Sequence, residues 1–110
     1  MTVELLIENG AEIKAKDMYG NTALMYAAQG HKAVLQLLLE KEAEVRATDY
    51  NSQTALHWAA RYGYEDIVGE LLKTGAILDA TSRYGTAISW AANGGHNAVV
   101  RLLLKKKSKF

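Results

Sequence analysis

Thr54-Ala55-Leu56-His57-Trp58-Ala59-Ala60 is the stretch that decides how this chain is read. Its pattern stands again at Thr22-Ala23-Leu24-Met25-Tyr26-Ala27-Ala28 and at Thr86-Ala87-Ile88-Ser89-Trp90-Ala91-Ala92, one copy 32 residues to either side. Self-similarity at a fixed period of roughly 20–50 residues is the mark of a repeat array, in which each unit buries its apolar face only by stacking on a neighbour. Function is therefore to be sought on the surface the stack presents, not in a cleft cut into one globular core.

Working outward from each copy, the same order of signals recurs. Asp17-Met18-Tyr19-Gly20, Asp49-Tyr50-Asn51-Ser52 and Ser82-Arg83-Tyr84-Gly85 read as tight turns, with Asp or Ser suited to the first position and Gly to the last. Thr22, Thr54 and Thr86 are N-caps, because a threonine hydroxyl can accept an otherwise unpaired N–H of the first turn. They predict short helices over 23–29, 55–62 and 87–93. Gly30, Gly63 and Gly94-Gly95 break these helices, and second, leucine-rich helices are expected over 32–40, 65–73 and 97–105. Helices this short are marginal alone. The paired alanines let neighbouring units approach, and the leucines fill the space behind them.

The bulk numbers narrow the class. The 110 residues make one domain, with no Pro, no Cys and a net charge of +1. Without Cys there is no disulfide framework and no thiolate metal site, which fits a reducing compartment. So small a net charge gives no global field to draw the chain to DNA or anionic lipid. No run reaches the roughly 20 apolar residues of a membrane span, and the start Met1-Thr2-Val3-Glu4 lacks a basic signal-peptide opening. The expectation is an intracellular protein, in the cytoplasm or the nucleus.

The string turn-Gly-x-Thr-x-Leu-His-x-Ala-Ala-x-x-Gly-His, followed by Val-x-Leu-Leu-Leu and Gly-Ala, resembles the ankyrin repeat. The resemblance implies an all-α solenoid of stacked helix-turn-helix units with projecting β-turn fingers. It divides the chain into a half repeat (1–16), two complete repeats (17–48 and 49–81) and a C-terminal truncated repeat (82–110). It also implies a non-catalytic module whose fingers and first helices line a concave, protein-binding face, and a hydrogen bond by which His57 ties helix start to turn.

The chain departs from that pattern in particular places. Ala23, Ala55 and Ala87 replace the usual proline; alanine loses the fixed φ of proline but is the best helix former. Gln29-Gly30 is one residue shorter than Arg61-Tyr62-Gly63, and Gly85-Thr86 lacks the spacer present as Asn21 and Gln53. Glu42 and Ser52 occupy positions where the resemblance calls for glycine, so each is expected at positive φ, at a cost of about 1 kcal/mol. Both ends look cut, which points to a piece of a longer array. Apolar residues such as Val3 and Leu6 at one end and Val100 and Leu103 at the other are then expected to be uncovered and able to self-associate.

Chemistry is sparse. His31 and His96 share one position two units apart, which is too far for a shared metal ion, and Tyr64 stands between them. No nucleophile-elbow or phosphate-loop motif is present. No catalytic residue, cofactor or metal is expected. The aromatics Tyr26, Trp58 and Trp90 recur at one position and are expected to form a column along the first helices, packing units together and edging the groove.

Carried over from the resemblance, the contact positions are Lys16, Met18, Tyr19, Asn21 and Gln29 in the first unit. Tyr50, Asn51, Gln53, Arg61 and Tyr62 follow in the second, with Thr48, and Arg83, Tyr84 and Asn93 in the third, with Thr81 and Gly94. None is acidic, although the chain holds 12 Asp and Glu. The implied binding face is basic and aromatic and the back acidic. That asymmetry predicts a protein or peptide partner with an acidic or polar docking segment. Self-association through open ends is the alternative, and an engineered ankyrin-type scaffold would use the same contact positions. Nucleic acid ranks lower, because the basic residues are few.

Overall fold

The computed structural model describes residues 13–107. The amphipathic stretch Val3–Asn9, most of the half repeat 1–16 and the last three residues lie outside the described residues.

Three helix pairs follow one another: α1 (Ala23–Ala27) with α2 (Lys32–Glu40), α3 (Ala55–Tyr62) with α4 (Glu65–Lys73), and α5 (Ala87–Asn93) with α6 (Asn97–Lys107). The first helices form one layer, α1 against α3 and α3 against α5, and the second helices form another, α2 against α4 and α4 against α6. This is the stacked helix-turn-helix architecture expected from the repeats. Leu35 and Leu38 of α2, Val68 and Leu71 of α4, and Val99 and Leu103 of α6 are buried between the layers. Ala28, Ala59, Ala60 and Ala91 are fully buried. No helix among the described residues is long and apolar enough to cross a membrane.

The caps explain where the first helices begin. Thr22, Thr54 and Thr86 are all extended, with ψ of 167°, 174° and 168°. The hydroxyls of Thr22 and Thr86 accept the N–H of Met25 and Ser89, each at 3.4 Å.

Both single-residue deletions leave a local mark. The first makes α1 end at Ala27, two residues before the expected 29. In the other units the N–H groups of Tyr64 and His96 reach back five residues, to the carbonyls of Ala59 and Ala91. In the first unit His31 N–H bonds the equivalent carbonyl, Ala27, from only four residues away. The anchor is kept and the turn is tightened, which puts Gly30 at φ 127°, open to glycine alone.

The second deletion changes a finger. In the first two units Asp17 and Asp49 each fold the chain around one carboxylate oxygen: Oδ1 of Asp17 accepts from Tyr19 and Asn21 N–H, and Oδ1 of Asp49 accepts from Asn51 and Gln53 N–H. In the third, the missing spacer closes the finger into an antiparallel hairpin of β1 (Thr81–Ser82) and β2 (Gly85–Thr86), with Thr81 opposite Thr86 and Ser82 opposite Gly85. Arg83 and Tyr84 form its two-residue tip.

Glu42 and Ser52 sit at φ 63° and 62°, as expected from the missing glycines. The corresponding residues elsewhere are glycines at positive φ: Gly75 for Glu42, and Gly20 and Gly85 for Ser52. Both Glu42 and Ser52 are exposed, so glycine removes strain there and little else. Glu42→Gly and Ser52→Gly are each expected to raise stability by about 1 kcal/mol, read as a higher urea midpoint at unchanged m-value.

The far end of the stack differs from its middle. Leu56, Ala60 and Val68 in unit two are buried under unit three, while the equivalent Ile88, Ala92 and Val100 are partly or fully exposed. Leu103, expected at this open face, is instead buried at 1% exposure. Its side chain lies between the helix layers, and the apolar face is completed by Leu104, 51% exposed.

Candidate functional site

The fingers are joined edge to edge. Tyr50 N–H donates to the Tyr19 carbonyl at 3.2 Å, and Arg83 N–H to the Asn51 carbonyl at 2.9 Å. The Lys16 ammonium donates to the Thr48 carbonyl at 2.7 Å. These bonds turn three separate loops into one continuous rim. The rim presents Met18, Tyr19, Tyr50 and Tyr84, between 55% and 77% exposed. Large side chains held this open on a hydrogen-bonded scaffold are not part of the buried core.

Behind the rim, where α3 meets α5, lies the densest side-chain cluster. Trp58, Arg61 and Tyr62 stand at i, i+3 and i+4 on α3 and so share a face. Trp58 and Tyr62 are stacked with centroids 6.3 Å apart. The Arg61 guanidinium lies 5.4 Å from the Trp58 centroid, 5.7 Å from that of Tyr62 and 4.9 Å from that of Trp90 on α5. Trp90 meets Tyr84 edge-on at 6.2 Å, and the Arg83 guanidinium lies 5.9 Å over Tyr84. Cations over aromatic faces are attracted by the ring quadrupole. The result is an unbroken run from the end of α3 across α5 to the third finger.

The expected aromatic column is therefore built differently. Its two tryptophans are bridged by a cation, and Tyr26 leaves it. Tyr26 hydroxyl instead donates to Asp17 Oδ2 of its own finger and lies within reach of Asn21 Nδ2. That bond holds the Asp17 carboxyl below its ordinary range and pushes the Tyr26 phenol up.

Two histidines fix the frame around the cluster. His57 is 1% exposed. Its Nδ1 accepts the Thr54 backbone N–H at 3.0 Å, and its Nε2 lies 3.0 Å from the Ala80 carbonyl in the link to unit three. An Nδ1 that accepts carries no proton, so the ring is the neutral Nε2–H tautomer and donates to Ala80. Burial holds its pKa below the ordinary value, against the Ala80 carbonyl bond, which works the other way. The bond within the helix start is as expected; the tie to the next unit is additional.

His96 Nε2 lies 2.9 Å from the Arg61 carbonyl. A Cβ built on Gly63 or Gly94 would stand 2.4 or 2.6 Å from the His96 ring. Those glycines thus leave the space through which unit three grips the backbone of Arg61.

The candidate contact residues divide accordingly. Arg61, Tyr62, Arg83 and Tyr84 come together in the cluster, and Met18, Tyr19, Tyr50 and Asn51 lie on the finger rim. Asn93 is exposed and Gln29 half-buried at the helix ends. Asn21 is half-buried, its N–H bound to Asp17. Gln53 does not qualify. At 3% exposure it is buried, its backbone N–H on Asp49 Oδ1 and its carbonyl accepting from Asp49 N–H. The same turn that makes the finger tucks this residue inside.

Sequence reasoning missed the cation between the tryptophans and the grip of His96 on Arg61. The i, i+3, i+4 spacing of Trp58, Arg61 and Tyr62 was the available signal.

Other features carry less chemistry. Among the described residues no group of three or more His, Cys, Asp or Glu could hold a metal ion. A surface depression of about 570 Å³ lies between the link at residues 43–47 and the Thr74-Gly75 turn. Its best donor, Arg46 Nε, is already spent on the Gly75 carbonyl at 2.9 Å.

No curated protein sequence matches the chain. The family model described as ankyrin repeats (3 copies) matches residues 1–49 and 46–110, and thus the whole length. Ankyrin repeats are generally non-catalytic protein–protein interaction modules. With helix pairs, fingers and stacking all in place, the chain belongs to the ankyrin-repeat family.

Proposed function

We propose that this chain is a non-catalytic module that binds a protein or peptide on the concave face formed by its fingers and first helices, through an acidic or polar docking segment of the partner. One observation carries this reading: the setting of Arg61 and Arg83. Lys32, Lys73 and Lys107 pair with Asp66, Glu70 and Asp79 at 3.4, 4.0 and 3.6 Å, whereas Lys41 and Arg101, also on the second-helix side, have no carboxylate partner among the described residues. On the front, Arg61 and Arg83 lie against aromatic rings, and among the described residues no carboxylate pairs with either. Charges left without an opposite partner beside exposed tyrosines suit an acidic surface from outside, and Tyr, Trp and Arg are the residue types that dominate binding energy at interfaces. The absence of cysteine supports a place inside the cell, in the cytoplasm or nucleus.

The Arg61→Glu, Arg83→Glu double variant is expected to keep the helical circular dichroism of the parent and to lose the partner that the parent retains. Unchanged partner capture by the folded variant refutes the reading.

A second reading, association of chains end to end, draws on the exposed apolar face of Ile88, Ala92, Val100 and Leu104. Sedimentation over a wide concentration range separates the two, since a concentration-independent monomer rejects self-association.

A further inference from the structure

Both tryptophans of the chain belong to one cluster, and that cluster consists almost wholly of hydrogen-bond donors. The Arg61 guanidinium has five N–H groups and no acceptor, and an indole has one N–H and no acceptor. The indole N–H groups of Trp58 and Trp90 are buried and find no acceptor among the described residues. The Arg61 side chain is placed by three rings and has no carboxylate partner among the described residues.

A guanidinium held against ring faces keeps its in-plane N–H groups available, in the fork geometry that matches a carboxylate. Its arrangement is already fixed, so little rotamer entropy remains to be lost on binding. The aromatic faces that could have formed a cage for a ligand cation are occupied by the chain's own cation. A second positive charge is thereby disfavoured.

We propose that the edge of Arg61, where units two and three meet, seats a carboxylate of the bound peptide, with Trp58, Trp90 and Tyr62 holding the guanidinium in position. The proposal rests on the reading of the concave face given above and narrows it to one anchor and one ligand chemistry. A single planar guanidinium between rings suits a planar carboxylate; phosphate groups are more typically met by clusters of arginines. The carboxylate can come from a glutamate or aspartate side chain or from a peptide C-terminus, and the two are separated by experiment.

Because the chain has only these two tryptophans, the two indole N–H signals in a ¹H–¹⁵N spectrum report on this cluster alone. Three probes are titrated into the full chain. The first is Gly-Glu-Phe-Gly blocked at both ends, the second is its blocked Gln counterpart, and the third is Gly-Gln-Phe with a free C-terminus. The expected result is that the first, the third or both move the indole signals saturably, which identifies the source of the carboxylate, while the blocked Gln peptide needs about tenfold more or has no effect. Arg61→Lys, which keeps the charge but not the fork, is expected to weaken the effective probe by about tenfold with the dispersion of the spectrum retained.

Equal response to the blocked Gln peptide, an unchanged titration in Arg61→Lys, or no movement with any probe up to about 10 mM overturns the carboxylate seat. If the seat fails while the Arg61→Glu, Arg83→Glu variant still loses its partner, the concave-face reading stands without it. If partner capture survives that double variant, the face itself is wrong.

Discussion

Replacing His57 by alanine is expected to destabilise the chain by about 3 kcal/mol, because a buried and a half-buried backbone group then lose their partner at once and a buried ring leaves a cavity. Thr54 N–H and the Ala80 carbonyl are bridged by one ring, Nδ1 to the first and Nε2 to the second, each at 3.0 Å. The first contact belongs to the start of α3 and the second to the link into unit three, so the ring fastens two neighbouring units. In a stack the stability is a sum of unit terms and interface terms, and this substitution weakens one of each. The measurement is urea unfolding followed by helix content and by tryptophan emission. His57→Ala is expected to lower the midpoint and to broaden the transition as unit three separates first.

The same residue sets a pH dependence whose sign follows from its burial. Its pKa is held below the ordinary 6.5 in the folded chain, whereas the unfolded chain binds its proton at about 6.5. As pH falls through that value the unfolded state takes up the proton first. The stabilisation is thus complete above about pH 6.5 and is lost as pH falls toward the folded pKa. Asp17, held below its ordinary 3.8 by the Tyr26 hydroxyl, contributes in a lower window. Its contribution is present above about pH 4 and lost below it. A parent chain that weakens between pH 7.5 and 5, beside a His57→Ala chain that does not, is the expected outcome. Equal pH dependence in both excludes the assignment.

How much could be read beforehand depended on whether a feature was local or crossed between units. The helix starts at Ala23, Ala55 and Ala87 were legible because each is set by the threonine before it. The positive φ of Glu42 and Ser52 was legible because glycine fills the same place in other copies. The early end of α1 was not. The missing residue beside Gln29 was visible, but which side of the turn would absorb it depended on keeping the bond to the Ala27 carbonyl.

The burial of Gln53 was hidden for a related reason. A polar residue in a turn reads as surface, and only the closed loop around Asp49 shows that it is enclosed. Arg61 illustrates the remaining gap. A period of 32 residues identifies equivalent positions, whereas contacts between units join non-equivalent ones, and Arg61 meets Trp90 at an offset the repeat does not display.

Ala60→Leu is expected to cost about 3 kcal/mol, while the same change at Ala92 stays within about 0.5 kcal/mol. In sequence the two are indistinguishable, each the second alanine of its pair. In the fold, Ala60 is at 0% exposure with α5 packed on its helix, and Ala92 is exposed. A leucine at Ala60 has no free volume to enter, so it must push α3 and α5 apart. Such a movement also takes the Arg61 guanidinium away from the Trp90 ring, now 4.9 Å distant. The loss of stability should therefore come with a red-shifted, more water-quenched tryptophan emission, since one of the two indoles loses its cover. At Ala92 the added carbons project from the apolar end face and leave the cluster as it was. Equal costs at the two positions would mean that close approach of α3 and α5 is not what the alanines provide. A cost at Ala60 without a change in emission would mean that the packing of the first helices and the arrangement of the arginine are independent. The small residues that let the units stack would then be doing nothing to hold Arg61 against its rings.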